Sequence, residues 1–135
     1  MLLSKTLPIA AAAALALGLT ACGGGSDSDD VKSSLQDYNN AVGDKDAAKA
    51  CDLLSGAAKK TIGGKSCEQT LKSGFALLNT KQLAAFKDTT IKNIKVKGDK
   101  ATATISFPKG SGVPDQTQAL VKEDGSWHLQ AAGAK

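Results

Sequence analysis

From Val31 to Val42 the apolar residues recur at helical intervals: Val31, Leu35, Tyr38 and Val42 are separated by four, three and four positions. That spacing lays one stripe along a period of 3.6 residues and predicts an amphipathic helix. Asp27, Asp29 and Asp30 stand where a helix N-terminus favours negative charge, and Gly43 is placed to end the helix. Asp44 can cap a second helix, which carries Cys51 and Leu54, contains Ala47 and Ala48, and fades at Gly63 and Gly64. A third helix is expected from Ser66, which forms a capping-box pattern with Gln69. Its apolar face is Cys67, Leu71, Phe75 and Leu78.

The period then changes from 3.6 to 2. The stretch "TTIKNIKVK", 89 to 97, reads as a strand whose register slips near Asn93, because Ile91 and Ile94 would otherwise face opposite ways; a bulge reconciles them. Gly98–Asp99 is a turn. Ala101, Ala103, Ile105 and Phe107 then alternate cleanly with Thr102, Thr104 and Ser106. After a Pro- and Gly-rich loop at 108 to 115 come "QTQALVKE" and "SWHLQAA", joined by Asp124–Gly125, a strong hairpin signal. The expected body is α+β: three N-terminal helices packed on a four-stranded antiparallel sheet, one of whose faces is apolar and needs covering.

Ahead of this body the pattern is neither helical-amphipathic nor alternating. Lys5 is followed by "LPIAAAAALALGL", an apolar run of the length export signals use and too short for a comfortable membrane span. It ends at Leu19-Thr20-Ala21-Cys22. These four residues, in that place, resemble the lipobox of bacterial lipoproteins. The resemblance implies that residues 1–21 are a leader cut off before Cys22, and that the Cys22 thiol carries a diacylglycerol. Residues 22–30 then form the lipidated cysteine and a flexible tether, since "GGGSDSDD" has nothing apolar to bury. The implied location is outside the cytoplasm, anchored by acyl chains to the outer face of a bacterial membrane, most simply the cell membrane. Residues 31–132 form the folded domain.

With Cys22 assigned to lipid, Cys51 and Cys67 remain as a pair in an oxidising compartment, and a disulfide between them is expected. It would staple the second helix to the third. No CxxC motif occurs and His128 is the only histidine, so redox and zinc chemistry lack their usual partners.

Charge narrows the partners further. The net charge is +4, and every one of the 17 basic residues is lysine. The bidentate fork that arginine offers to phosphate or carboxylate is therefore absent, leaving mobile point charges that favour solubility and attraction to anionic lipid or wall polymer. Nucleic acid is not an expected partner, because no lysine cluster is interleaved with aromatics.

The element order, the cysteine pair, and the "VKGDKATATISF" and "ALVKEDGSWHL" endings are similar to lipid-anchored members of the nuclear-transport-factor-2-like (NTF2-like) superfamily. That resemblance implies a cone in which a curved sheet wraps around helices, with a pocket between them. Tyr38, Phe75, Phe107 and Trp127 are the candidate lining, each also a natural core residue. Some members are ketosteroid-isomerase-like enzymes or dehydratases, which need a carboxylate base and a donor meeting in an apolar site. Here the carboxylates fall in the tether, at Asp44 and Asp46, and in turns; none lies on the expected apolar strand face. Strand alternation turns His128 away from Trp127 and Leu129, toward the outside. No catalytic residues and no cofactor or metal ligands are therefore assigned. The expected function is a membrane-anchored, non-catalytic domain that binds a small apolar ligand or an envelope protein. The alternatives are an enzyme with a cryptic pocket using Tyr38 as donor, and a purely structural or docking module.

Overall fold

The computed structural model describes residues 26–131. The leader, the Leu19–Cys22 motif and the glycines that follow it lie outside the described residues. The chain is α+β, with helices α1 (Asp27–Gly43), α2 (Ala47–Asp52), α3 (Gly56–Ile62), α4 (Cys67–Ala76) and α5 (Thr80–Lys87), and a 3-10 turn at Gly64–Ser66. Strands β1 (Thr90–Lys97), β2 (Lys100–Ser106), β3 (Gln116–Glu123) and β4 (Ser126–Leu129) form an antiparallel sheet in sequential order. Among the described residues there are five α-helices where the sequence pattern predicts three.

Two differences account for this. The expected second helix is split at Leu53–Ser55, because this segment pairs with the edge of β4. The Leu129 N–H donates to the Leu53 carbonyl at 2.9 Å, and the Ser55 N–H donates to the Leu129 carbonyl at 2.8 Å. Leu54 thus lies in a bridge, and the sheet's far edge is covered by main chain. Ser55 restarts the helix by capping the Ala58 N–H. The cap of α2 is Asp46, whose carboxylate accepts from the Lys49 N–H, and not Asp44. The other difference is α5, which no sequence pattern picked out. Its capping box is Asn79 with Gln82, whereas Ser66 makes no side-chain cap at α4.

Helix α1 begins at Asp27, inside the stretch assigned to the tether. That residue is docked on the sheet. The Lys122 ammonium donates to the Asp27 carboxylate at 2.7 Å and the Trp127 indole N–H donates at 3.3 Å. The Lys122 ammonium also lies 5.7 Å from the Trp127 ring centroid. The Lys122 hydrogen bond first, and the indole second, hold the Asp27 carboxyl below its ordinary value. A depressed carboxylate stabilises the fold above its unfolded pKa and loses that contribution as pH falls through the folded value. Asp27→Asn is therefore expected to lower the melting temperature at pH 7. The gap from the parent should close in thermal melts taken below the ordinary Asp range, and a gap unchanged there would refute the pairing.

Strand β1 contains the bulge that the slip at Asn93 predicts. Lys92 pairs with Thr104 and Lys95 with Thr102, so three steps on β1 match two on β2, and Asn93 sits at φ 53°. Ile91 and Ile94 consequently both pack against the core. On β2, Ala101, Ala103, Ile105 and Phe107 are buried as their alternation requires. Asp124 and Gly125 both adopt positive φ, 50° and 80°, as the type I′ hairpin turn between β3 and β4 needs.

The core has two parts. The larger joins α1 (Val31, Leu35), α3 (Ala58), α4 (Cys67) and α5 (Ala85) to the sheet through Leu120, Trp127 and Leu129, all nearly or fully buried. The smaller joins α1, α2 and α4 through Val42, Ala47, Ala50 and Phe75. Tyr38, Leu71 and Phe86 pack against both. A disulfide links Cys51 in α2 to Cys67 at the start of α4, with a Cα–Cα distance of 6.1 Å. Gly43 is the last residue of α1 and serves close approach: an added Cβ would run into the Lys87 side chain of α5. Among the described residues no helix is long and apolar enough to cross a membrane.

Candidate functional site

A cavity of about 270 Å³ lies where the two core parts meet, between the helices and the sheet. Its apolar wall follows from helix periodicity. Tyr38 and Val42 are one turn apart on α1, and Phe75 and Leu78 occupy the inner side of α4 and its end. Phe86 arrives from α5, held edge-on by Phe107 with ring centroids 5.0 Å apart. The sheet contributes polarity. Gln116 and Gln118 point inward from alternate positions of β3, in line with Leu120, and Gln130 follows β4.

These amides are oriented unequally. The Gln118 side-chain NH₂ donates at 2.8 Å to the carbonyls of both Ala119 and Gln130, which fixes its carboxamide oxygen as the free acceptor. The Tyr38 hydroxyl makes no hydrogen bond among the described residues, and burial raises its pKa. At neutral pH it is therefore a protonated donor. The site offers a hydroxyl and carboxamides set in an apolar wall, a common composition for a small-molecule pocket. Tyr38 is the only ionisable side chain among the described residues lining it.

Of the four lining residues expected from sequence, the structure brings together Tyr38 and Phe75. Phe107 stands behind Phe86 as its stacking partner, and Trp127 is buried at the other end of the sheet, bonded to Asp27. Neither lines the cavity. Phe86 and the three glutamines were not anticipated. Phe86 belongs to the unforeseen α5, whereas Gln116 and Gln118 could have been found, since strand alternation puts them on the face of Leu120. His128 lies on the face opposite Trp127 and Leu129, as alternation requires, and pairs with Val121. Its Nδ1 is buried without a partner among the described residues. Among those residues no three His, Cys, Asp or Glu side chains converge on a metal-sized site.

No protein-family model matches this chain, and no curated protein matches it in sequence.

Proposed function

We propose that this chain is an exported bacterial lipoprotein, anchored through Cys22, whose α+β body binds a small apolar molecule without transforming it. The cavity between helices and sheet carries the reading. Its volume of about 270 Å³ lies just below the range of roughly 300–1,000 Å³ for ligand pockets, which limits it to a small molecule, and its wall is apolar apart from Tyr38 and the glutamines. A ligand of mostly hydrocarbon character with one carbonyl or hydroxyl fits that chemistry. The carbonyl would accept from Tyr38 or a hydroxyl would donate to Gln118. The element order of helices followed by a sequential antiparallel sheet supports an NTF2-like body, and we include that cone in the proposal. The anchor rests on the Leu19-Thr20-Ala21-Cys22 sequence.

The isomerase-like alternative is less well supported, because proton abstraction needs a base at the cavity and Tyr38 is raised, not lowered. Among the described residues the large exposed apolar side chains are scattered singly, Leu77 after α4 and Val96 on β1, and form no patch there for a docking module.

The test is native mass spectrometry of the protein released from its own membranes, parent beside Leu78→Trp. Leu78 is half-buried at the wall, so the larger ring can fill the cavity while part of it remains outside. The expected result is a co-purified small molecule on the parent that is lost from the variant. An empty parent, or a molecule kept equally by both, would sink the ligand reading. The same spectra give the N-terminal mass: an intact, unlipidated leader would refute the anchor separately.

A further inference from the structure

The sheet covers its helix-facing side with core, but among the described residues no helix packs on its other face, and that face is rich in lysine. Pairing registers place Lys92, Lys95 and Lys97 of β1 on it, beside Thr104, Thr102 and Lys100 of β2. It continues through Thr117, Ala119 and Val121 of β3. The bulge at Asn93 creates this arrangement. Without the extra residue, Lys95 and Lys97 would fall on the core side when Lys92 faces out. With it, the lysines share a line along the open edge strand, Lys95 and Lys97 separated by about 7 Å.

Three observations favour an anion along this line. All four lysines are exposed, and among the described residues the ion pairs are Lys87–Asp44 and Lys122–Asp27, so none of the four is neutralised by a carboxylate. Lys97 and Lys100 are directly opposed across the hairpin, an arrangement of like charges that destabilises a strand pair unless something sits between them. Two depressions run beside the lysines, of about 300 Å³ and 380 Å³, and both are lined by Lys95 and Thr102. The second adds the Asn93 amide and the hydroxyls of Thr104 and Thr117. The carboxylates along these strands are Asp99, in the turn, Glu123, which is engaged in accepting the Gly56 N–H, and Asp115, which is engaged in accepting from the Ser106 hydroxyl and the Phe107 N–H.

We propose that this face binds a linear polyanion with phosphate-type repeats, laid along β1 and β2 with its charges on Lys92, Lys95, Lys97 and Lys100. A row of cations beside two depressions that share Lys95 and Thr102 fits a chain better than a plane, so a polymer is favoured over a bilayer surface. Lysine's point charges, with threonine hydroxyls between them, suit repeated phosphates that need no fixed bidentate geometry. No Phe, Tyr or Trp lies on the face: Tyr38, Phe75, Phe86, Phe107 and Trp127 all belong to the core or the cavity, and His128, paired with Val121, is the one ring on this side among the described residues, which argues against a nucleic acid. The proposal is independent of the cavity reading.

The experiment measures binding of long-chain inorganic polyphosphate to the full chain in zwitterionic micelles, across a salt series. Replacing Lys92, Lys95, Lys97 and Lys100 together by Gln is expected to weaken binding more than tenfold at low salt. The slope of log K against log salt should fall by about 3, from about 0.7 per released counterion on a single-stranded polyanion. A control with Lys60, Lys65, Lys72 and Lys81 changed to Gln removes the same charge from exposed helical positions and should stay within about twofold of the parent. Equal loss in both variants would mean only net charge, and would overturn the site. So would failure of the parent to bind polyphosphate while anionic vesicles bind through these lysines. An oligonucleotide of equal charge binding more than tenfold tighter than polyphosphate would transfer the face to nucleic acid and equally overturn the proposal.

Discussion

Truncating Leu35 to alanine is expected to destabilise the fold by about 3 kcal/mol and to lower the melting temperature by roughly 12–24 °C. Leu35 has no exposed surface and sits in the larger core, on the face of α1 that meets the sheet. Its loss removes the transfer free energy of the side chain and leaves a void that the neighbours cannot close. Collapse is hindered on both sides. α1 is pinned at its start by the Asp27–Lys122 pair and at its end by the close approach of Gly43 to α5. Thermal unfolding followed by circular dichroism is the check. A shift of only a few degrees would mean that α1 is not packed as described, and the cavity, whose wall includes Tyr38 one turn further along, would lose its frame.

That helix shows what the sequence made legible. The stripe of Val31, Leu35, Tyr38 and Val42 is buried or half-buried as its period demands, because a solvent-covered helix has to bury one face. Strand β2, the Asn93 bulge and the Asp124–Gly125 turn were legible for the same reason: each is decided by residues within a few positions of one another. Tertiary contacts decided the rest. Leu54 has the composition of a helix residue, but the edge of β4 offers the backbone around it two hydrogen bonds at a distance of about 75 positions, and those win. Helix α5 is eight residues long, too short for its period to stand out, and its one local signal is the Asn79–Gln82 capping box.

The candidate site divides along the same line. Tyr38 and Phe75 were visible as members of helix stripes. Phe107 was expected to line a pocket and instead supports Phe86, because α5 comes between it and the cavity. Whether an inward aromatic meets space or another side chain depends on the helix packed against it, which strand alternation does not reveal. The glutamines carry a different lesson. Inward polar positions on β3 break the apolar alternation next to Leu120, and a break of that kind marks a place where the core is not filled by hydrocarbon alone.

Opening the Cys51–Cys67 bond is expected to cost about 3 kcal/mol, since the two cysteines are 16 positions apart and the bond removes the loop-closure entropy of the unfolded chain. The effect should reach the cavity as well. Cys51 holds the segment that leads into Leu54, and Cys67 starts the helix that carries Phe75 toward the cavity. Between them the chain turns through α3 and a 3-10 segment, and most of this stretch is exposed or half-buried. Without the bond, α2 and α4 are joined mainly through Ala47, Ala50 and Phe75, a small apolar contact. The melting temperature of the parent should therefore fall by roughly 12–24 °C in reductant, to nearly that of Cys51→Ala/Cys67→Ala, while the double variant ignores reductant. Any molecule held in the cavity should be released by reductant at temperatures where the fold persists. A parent that melts identically with and without reductant would show that packing alone sets the distance between α2 and α4, and the disulfide would then have no part in holding the cavity's wall.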